Sequence, residues 1–117
     1  MATVRDILGR KGSVVVSVTP DTTVVEAARL MNTRGIGAVL VLDGDRLAGI
    51  FTERDVLRPV VAEQRSAETT RVRDVMTSAL ATTTPDATTD ACAALMTGRR
   101  IRHLPVLEGA RLIGVVT

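Results

Sequence analysis

Thr52 and Asp55 are the residues of this 117-residue chain whose types and spacing most clearly suggest binding chemistry. An ionised carboxylate can accept charge-assisted hydrogen bonds from two neighbouring hydroxyls, such as the diol of a ribose. If a helix begins after Thr52, Asp55 lies one turn into it and faces back toward the preceding strand. The unpaired N–H groups of a helix start also favour an anion. The pair therefore suggests a site for a sugar diol or a phosphate.

The same two residues also have a purely structural interpretation. Thr-x-x-Asp is a capping box, in which the side chains satisfy backbone N–H groups at a helix start and no ligand is needed. Thr3 and Asp6 repeat this spacing near the N-terminus, where no ligand role is expected. The two roles are compatible, because Thr52 can cap the helix while Asp55 binds a ligand.

The remaining inventory argues against catalysis and metal binding. The chain contains one histidine, His103, and one cysteine, Cys92, and it has no second acid placed for acid–base work. We therefore expect no enzymatic activity, no metal site and no obligatory cofactor. The single cysteine excludes an internal disulfide, and its place in an apolar helix pattern favours a core role.

Composition and charge exclude further classes of partner. Phe51 is the only aromatic residue, and 15 basic residues are nearly balanced by 13 acidic ones. Nucleic acid binding is therefore not expected, since it needs stacking surfaces or a basic stripe. No apolar run approaches the ~20 residues of a membrane span. The N-terminus has no apolar signal-peptide core, so the sequence predicts a cytoplasmic protein without membrane attachment.

An internal repeat organises the elements that must position these residues. Residues 20–52 match residues 85–117 without a gap at an offset of 65, and 15 of the 33 aligned positions are identical. Such a repeat indicates two copies of one supersecondary unit. A unit this small cannot close a core alone, so the copies are expected to pack together.

Each copy reads as strand, helix, strand, turn, strand and helix after a short helical lead-in. The first copy is predicted to contain a lead-in helix at Thr3–Leu8, a break at Arg10–Ser13, strands at Val14–Val18, Ala38–Leu42 and Arg46–Phe51, and helices at Thr23–Thr33 and from Glu53 onward. Pro59 is expected to interrupt the last helix or to mark a second segment. The second copy is predicted to contain a lead-in at Val72–Met76, strands at Leu80–Thr83, His103–Leu107 and Arg111–Val116, and a helix at Thr88–Gly98. The strand that carries Pro105 is expected at a sheet edge or irregular, and Arg65–Thr70 reads as the linker.

These segments, in this order and present twice, resemble the CBS domain, which is named for cystathionine β-synthase. The resemblance rests on residues 16–22, 35–41 and 49–55 in the first copy and on residues 72–77, 83–87, 101–106 and 114–117 in the second. It covers essentially the whole chain and identifies a CBS pair, or Bateman module, with repeat 1 at residues 1–68 and repeat 2 at residues 69–117. It implies an α/β (α+β) fold of two tandem β-α-β-β-α repeats packed with pseudo-two-fold symmetry.

The resemblance further implies regulatory binding of an adenosine-containing ligand in the clefts between the repeats. The candidate ligands are AMP, ADP and ATP, and then S-adenosylmethionine and NAD. Such modules often form homodimers, as a flat disc of four repeats, and signal to a protein partner that the sequence does not identify. The alternative is a module that binds no nucleotide, whose cleft is filled by side chains and whose apolar helix faces serve dimerisation or a partner.

The resemblance assigns the ligand contacts to both copies. Asp55 would hold the ribose, Thr52 would lie beside the sugar and phosphate, and Arg102 and His103 would reach the phosphates. The remaining residues of the predicted site are Gly37 and Ala38, which would admit the adenine ring, Ile50 and Thr82, which would wall it, and Arg54.

Each of these contacts has a structural alternative. Arg102 and His103 can be a solvated arginine and a partly exposed histidine at a strand edge, and Gly37 can simply begin a strand. The second copy reaches residue 117 before any counterpart of Asp55, so one competent site is expected.

Overall fold

The computed structural model describes residues 1–11 and 15–117, with only the backbone at positions 10 and 11. Its helices and strands are α1 (Val4–Lys11), β1 (Ser17–Val18), α2 (Val24–Arg34), β2 (Ala38–Asp43), β3 (Arg46–Thr52), α3 (Glu53–Val56), α4 (Val72–Val75), α5 (Thr89–Arg99), β4 (Leu104–Glu108) and β5 (Arg111–Val116). A single π-helical turn, Leu57–Val61, follows α3. No helix in these described ranges is long and apolar enough to cross a membrane.

The first strand is shorter than the sequence predicts. A strand is predicted at Val14–Val18, whereas β1 contains only Ser17–Val18. The predicted break at Arg10–Ser13 begins too early, because α1 continues through Lys11. The rest of that break and Val14 lie outside the described residues.

The chain forms two compact units, and each unit combines parts of both sequence copies. One unit contains Val16–Leu80, and the other joins Met1–Val15 to Ala81–Thr117. The unit Val16–Leu80 holds β1, α2, β2, β3 and α3 of the first copy together with α4, which is the lead-in of the second copy. The other unit holds α5, β4 and β5 together with α1, the lead-in of the first copy. The lead-in helices are therefore exchanged between the copies.

Equivalent backbone contacts attach the exchanged helices in the two units. Thr23 forms an antiparallel bridge with Arg71, just before α4. Thr88, which is 65 residues after Thr23, forms the same kind of bridge with Thr3, just before α1. The sequence repeat is therefore accompanied by a repeated backbone contact, an antiparallel bridge that attaches each lead-in helix to its unit.

Ion pairs repeat this exchange at the surface. Arg73 of the second lead-in pairs with Asp21, and Arg5 of the first lead-in pairs with Asp86 at 3.5 Å. All four side chains are more than half exposed. Exposed pairs of this kind contribute little stability, so apolar burial must hold the lead-ins in place.

The apolar cores confirm that burial. In the unit Val16–Leu80, the sheet has the order β1-β2-β3, with β1 parallel and β3 antiparallel to β2. Val39, Leu40 and Val41 at the centre of β2 are buried, whereas Ala38 and Leu42 on either side of them are half-buried. The buried residues of this core, which include both valines that bound α4, are Val24, Ala27, Met31, Val39, Val41, Phe51, Val60, Val72 and Val75.

The second core is smaller and contains the cysteine. It includes Val4 of α1, and Cys92 is 2% exposed within it, which confirms the predicted core role of the thiol. The sheet here is the antiparallel pair β4-β5. Pro105 therefore lies in an edge strand, as predicted.

The second copy's first strand, predicted at Leu80–Thr83, is wrong. Only Thr83 pairs, in a parallel bridge to Val106. Its N–H donates to the carbonyl of Pro105, and its carbonyl accepts from the N–H of Leu107, both at 2.9 Å. Pro105 has no N–H of its own to extend this pairing, so the segment stays irregular around a single bridge.

Two of the predicted connections have more structure than their sequence suggests. The helix after Thr52 ends at Val56, and Pro59 lies in a second segment, the π-helical turn, in which the Ala62 N–H donates to the carbonyl of Leu57 at 2.9 Å. The predicted linker Arg65–Thr70 is held against α2, because the carbonyl of Ala67 accepts from the Val25 N–H at 2.9 Å. The connection is thus fixed to the start of the long helix.

Gly35 and Arg100 close α2 and α5 at matching positions of the two copies, in the left-handed conformation, with φ of 63° and 55°. This conformation costs a residue with a Cβ roughly 1 kcal/mol or more, and glycine almost nothing. We expect Arg100→Gly to raise the free energy of unfolding by about 1 kcal/mol and Gly35→Ala to lower it by a similar amount. Thermal unfolding of both variants measures the difference. A lower midpoint for Arg100→Gly would contradict the argument.

Candidate functional site

Asp55 lies at the junction of β3 and α3 and is only 8% exposed. Its Oδ2 accepts hydrogen bonds from the Thr52 N–H at 3.0 Å and from the Thr52 hydroxyl at 3.2 Å. The Thr52 Oγ1 in turn accepts from the Asp55 N–H at 3.3 Å. The capping box that the sequence offers as a structural interpretation is therefore present.

The other oxygen of Asp55 has a partner that the sequence does not suggest. The Thr77 hydroxyl donates to Asp55 Oδ1 at 3.3 Å, across 22 residues of sequence. The Thr77 backbone is also fixed to β3, because its N–H donates to the Ile50 carbonyl and its carbonyl accepts from the Ile50 N–H, both at 2.9 Å. Sequence reasoning places Thr77 only in a lead-in segment, and no local spacing links it to Asp55.

A count of acceptor positions shows what this carboxylate can still do. A carboxylate offers about four lone-pair positions, two on each oxygen. Among the described residues, Thr52 supplies two donors to Oδ2 and Thr77 supplies one to Oδ1. Oδ1 therefore keeps one acceptor position, on a carboxylate whose orientation is already fixed from both sides.

Gly37 and Ala38 lie beside this junction. Ala38 is paired with Thr52 across the β2–β3 hairpin, and the Glu53 N–H donates to the Gly37 carbonyl at 3.0 Å. The Glu53 carboxylate also covers Gly37, because a Cβ added there would lie 3.5 Å from Glu53 Cδ. The surface that the sequence assigns to an adenine ring is thus covered by an exposed, flexible side chain.

Ile50 and Arg54 occupy different environments at the same junction. Ile50 is 7% exposed and is paired with Leu40 on β2, so most of its surface belongs to the core. Arg54 is exposed in the first turn of α3 and follows Glu53. The charged groups of α3 are therefore two carboxylates and one guanidinium within three consecutive positions.

The other predicted contacts belong to the second unit. Arg102 is exposed and His103 is half-buried, and both directly precede β4. Thr82 is exposed and directly precedes the bridged Thr83. That these residues share one cleft with Asp55 stays a prediction from the sequence.

A separate groove of about 520 Å³ lies between the C-terminal half of α2 and the start of α3. Its walls include Met31, Ile36 and Val56, together with the Glu53 carboxylate over Gly37. Among the described residues, neither Thr52 nor Asp55 lines it. The groove therefore adjoins the candidate site through Gly37 and Glu53 and does not include the Asp55 carboxylate.

Comparison with known proteins supports the resemblance found in the sequence. The profile of the CBS domain matches residues 4–62 and 72–117. The Arabidopsis thaliana protein CBSX3, a mitochondrial CBS domain-containing protein, is 37% identical over 124 residues. That match covers 98% of this chain and 60% of CBSX3, so the chain spans about three-fifths of that relative.

Solved structures share the fold. A Burkholderia ambifaria protein described as a candidate signal-transduction protein with CBS domains superposes with a TM-score of 0.94 at 47% identity, covering 99% of this chain and 88% of that one. A hexameric CBS-CP12 protein from bloom-forming cyanobacteria superposes with a TM-score of 0.78 at 29% identity, covering 90% of this chain and 62% of that one.

Proposed function

The chain belongs to the CBS-domain family and carries two copies of that domain, and on this premise we propose that it is a regulatory module that binds an adenosine-containing ligand at Asp55. The ligand class is AMP, ADP or ATP, and ligand occupancy is passed on to a protein partner. The observation that carries the proposal is the state of the Asp55 carboxylate, which is 8% exposed, oriented by Thr52 and Thr77, and left with one acceptor position. A carboxylate held in this way is ready to accept a ribose hydroxyl without first being ordered.

The proposal assigns the remaining contacts as the CBS resemblance does. Gly37 and Ala38 border the ribose position, and an adenine ring that approaches them displaces the exposed Glu53 side chain. Arg102 and His103, which the CBS resemblance assigns to the phosphates, are proposed as donors to them. Arg54 adds a guanidinium to the two carboxylates of α3.

Ligand-dependent unfolding tests the proposal directly. The protein is heated with AMP, ADP, ATP, S-adenosylmethionine or NAD, each at roughly millimolar concentration. A ligand that binds only the folded state adds about 2.7 kcal/mol at one hundred times its dissociation constant, so its midpoint must rise. Unchanged midpoints with all five ligands would refute nucleotide binding and favour the nucleotide-free alternative.

A second role, self-association, is favoured by two exposed apolar side chains. Leu57 and Val61 lie four residues apart on the π-helical turn, and each is 61% exposed. Large apolar groups that are exposed together often mark an interaction surface. The hexameric CBS-CP12 neighbour also fits an assembly of several chains. We propose that this Leu57/Val61 patch contributes to a homodimer.

Leu57→Glu is expected to convert the homodimer into a monomer, because a desolvated carboxylate would replace an apolar contact. Light scattering after size exclusion gives the mass of each species. Ala110→Glu, at an exposed turn residue, adds the same charge elsewhere and should leave the mass unchanged. A wild-type monomer would refute the dimer, and a dimeric Leu57→Glu variant would refute the patch.

A further inference from the structure

We infer that Thr77 is a second ribose-binding residue. Asp55 accepts a hydrogen bond from one hydroxyl of the diol, and the Thr77 hydroxyl accepts a hydrogen bond from the other. The inference rests on the proposed function and names the residue that completes its sugar site. It starts from the number of hydrogen bonds that the Asp55 carboxylate can accept.

Asp55 alone has too few free acceptor positions for a diol. Both positions on Oδ2 are used by the N–H and the hydroxyl of Thr52. One position on Oδ1 is used by the Thr77 hydroxyl, which leaves one. A ribose presents two O–H donors on neighbouring carbons, so a diol held by Asp55 alone would have to displace an existing bond.

The Thr77 hydroxyl can accept the second donor and keep its bond to Asp55. A hydroxyl carries one donor and two acceptor positions. The Thr77 hydroxyl donates to Asp55 Oδ1 at 3.3 Å, so these two oxygen atoms, each with acceptor capacity left, are direct neighbours. Thr77 is exposed, whereas Asp55 is 8% exposed, so a ligand that reaches the carboxylate meets the threonine as well.

The backbone around Thr77 is fixed firmly enough for this role. It exchanges two hydrogen bonds of 2.9 Å with Ile50. The segment also packs directly on Gly49, where an added Cβ would lie 2.7 Å from the Thr77 carbonyl oxygen and 2.8 Å from the Met76 sulfur. The hydroxyl is thus presented from the edge of β3 and not from a free loop, which keeps the two acceptors side by side.

The consequence is a site in which Asp55 and Thr77 together distinguish ribose from its 2′-deoxy and 3′-deoxy forms. Each ligand hydroxyl has its own protein acceptor, so removing a hydroxyl from the ligand and removing its acceptor from the protein must be coupled. A threonine that only supports the backbone would show no such coupling.

The test titrates wild type, Thr77→Val and Thr77→Ser with the tightest-binding of AMP, ADP and ATP and with its 2′-deoxy and 3′-deoxy analogues. Wild type should bind each analogue about tenfold more weakly than the parent, the usual effect of one lost hydrogen bond. Thr77→Val should bind the parent about tenfold more weakly and should no longer discriminate against one of the two analogues. Thr77→Ser, which keeps the hydroxyl, should restore the wild-type pattern.

Three outcomes would overturn the inference. If Thr77→Val still discriminates against both analogues, Thr77 does not contact the sugar. If that variant binds the parent more tightly, Asp55 accepts both hydroxyls and Thr77 competes with them. If wild type binds none of the nucleotides, the proposed function fails and the inference fails with it, whereas either of the first two results leaves the proposed function intact. Should Thr77→Val not fold, Thr77→Ala compared with Thr77→Ser isolates the same hydroxyl.

Discussion

Replacing Asp55 by asparagine is expected to weaken nucleotide binding by about 100-fold. The charge-assisted hydrogen bond to the ligand is lost, and one of the hydrogen bonds from Thr52 or Thr77 that orient the side chain is lost as well. An asparagine keeps the size of the side chain but presents an NH₂ group on one side. That group faces donors, either from Thr52 or from Thr77, and cannot accept from them. Isothermal titration with the nucleotide that stabilises wild type most gives the change in affinity.

The chain offers a matched control for this variant in Thr3 and Asp6. Asp6 Oδ2 accepts from the N–H and the hydroxyl of Thr3 at 3.0 and 3.2 Å, the same distances as in the Thr52 and Asp55 pair. Asp6→Asn should therefore cost a similar ~1 kcal/mol of helix capping and leave nucleotide affinity unchanged. Equal losses of affinity in the two variants would show that Asp55 acts only through folding.

Gly49→Ala is expected to have the largest effect on stability, lowering the free energy of unfolding by about 2–4 kcal/mol. The added Cβ would lie 2.7 Å from a backbone oxygen, that of Thr77, which cannot rotate away. The lead-in segment must then move off β3, and both hydrogen bonds between Ile50 and Thr77 lengthen. We expect the midpoint of thermal unfolding to fall by roughly 10 °C.

Gly114 provides the comparison, since it occupies the matching position of the second copy. A Cβ there would lie 2.6 Å from a terminal methyl of Leu8, and that side chain can adopt another rotamer. Gly114→Ala should therefore cost only about 1 kcal/mol. If both alanine variants destabilise the protein equally, the difference between a backbone and a side-chain neighbour does not control the cost.

The amino-acid sequence predicts the elements whose patterns are local. The predicted helices at Thr23–Thr33 and Thr88–Gly98 and the predicted strands at Ala38–Leu42 and Arg46–Phe51 are all present, close to their predicted bounds. The CBS resemblance and its mixed α and β fold class are confirmed as well. Thr52 and Asp55 were accessible to sequence analysis for the same reason, because a capping box lies within one helical turn.

Features that depend on distant pairing were not predictable. β1 is short because only Ser17 and Val18 find partners on β2, and strand propensity alone cannot limit a strand to its paired residues. The exchange of the lead-in helices has no periodic signal, since α1 and α4 begin with the same Val-Arg-Asp sequence and each has an apolar residue three positions after its first valine. Thr77 escaped prediction because this exchange, and not its sequence spacing, brings it to Asp55.

The exchange of lead-in helices also bears on how such a chain could have arisen. If a single copy kept this arrangement, its lead-in helix would pack in the core of a second molecule and not in its own core. Two such molecules would exchange their lead-in helices, as domain-swapped dimers do. Duplication and fusion of the gene would then place both copies in one chain, with residues 65–70 as the linker. In such a history, association preceded the single polypeptide, and the two copies could afterwards diverge at their binding residues while still depending on each other to fold.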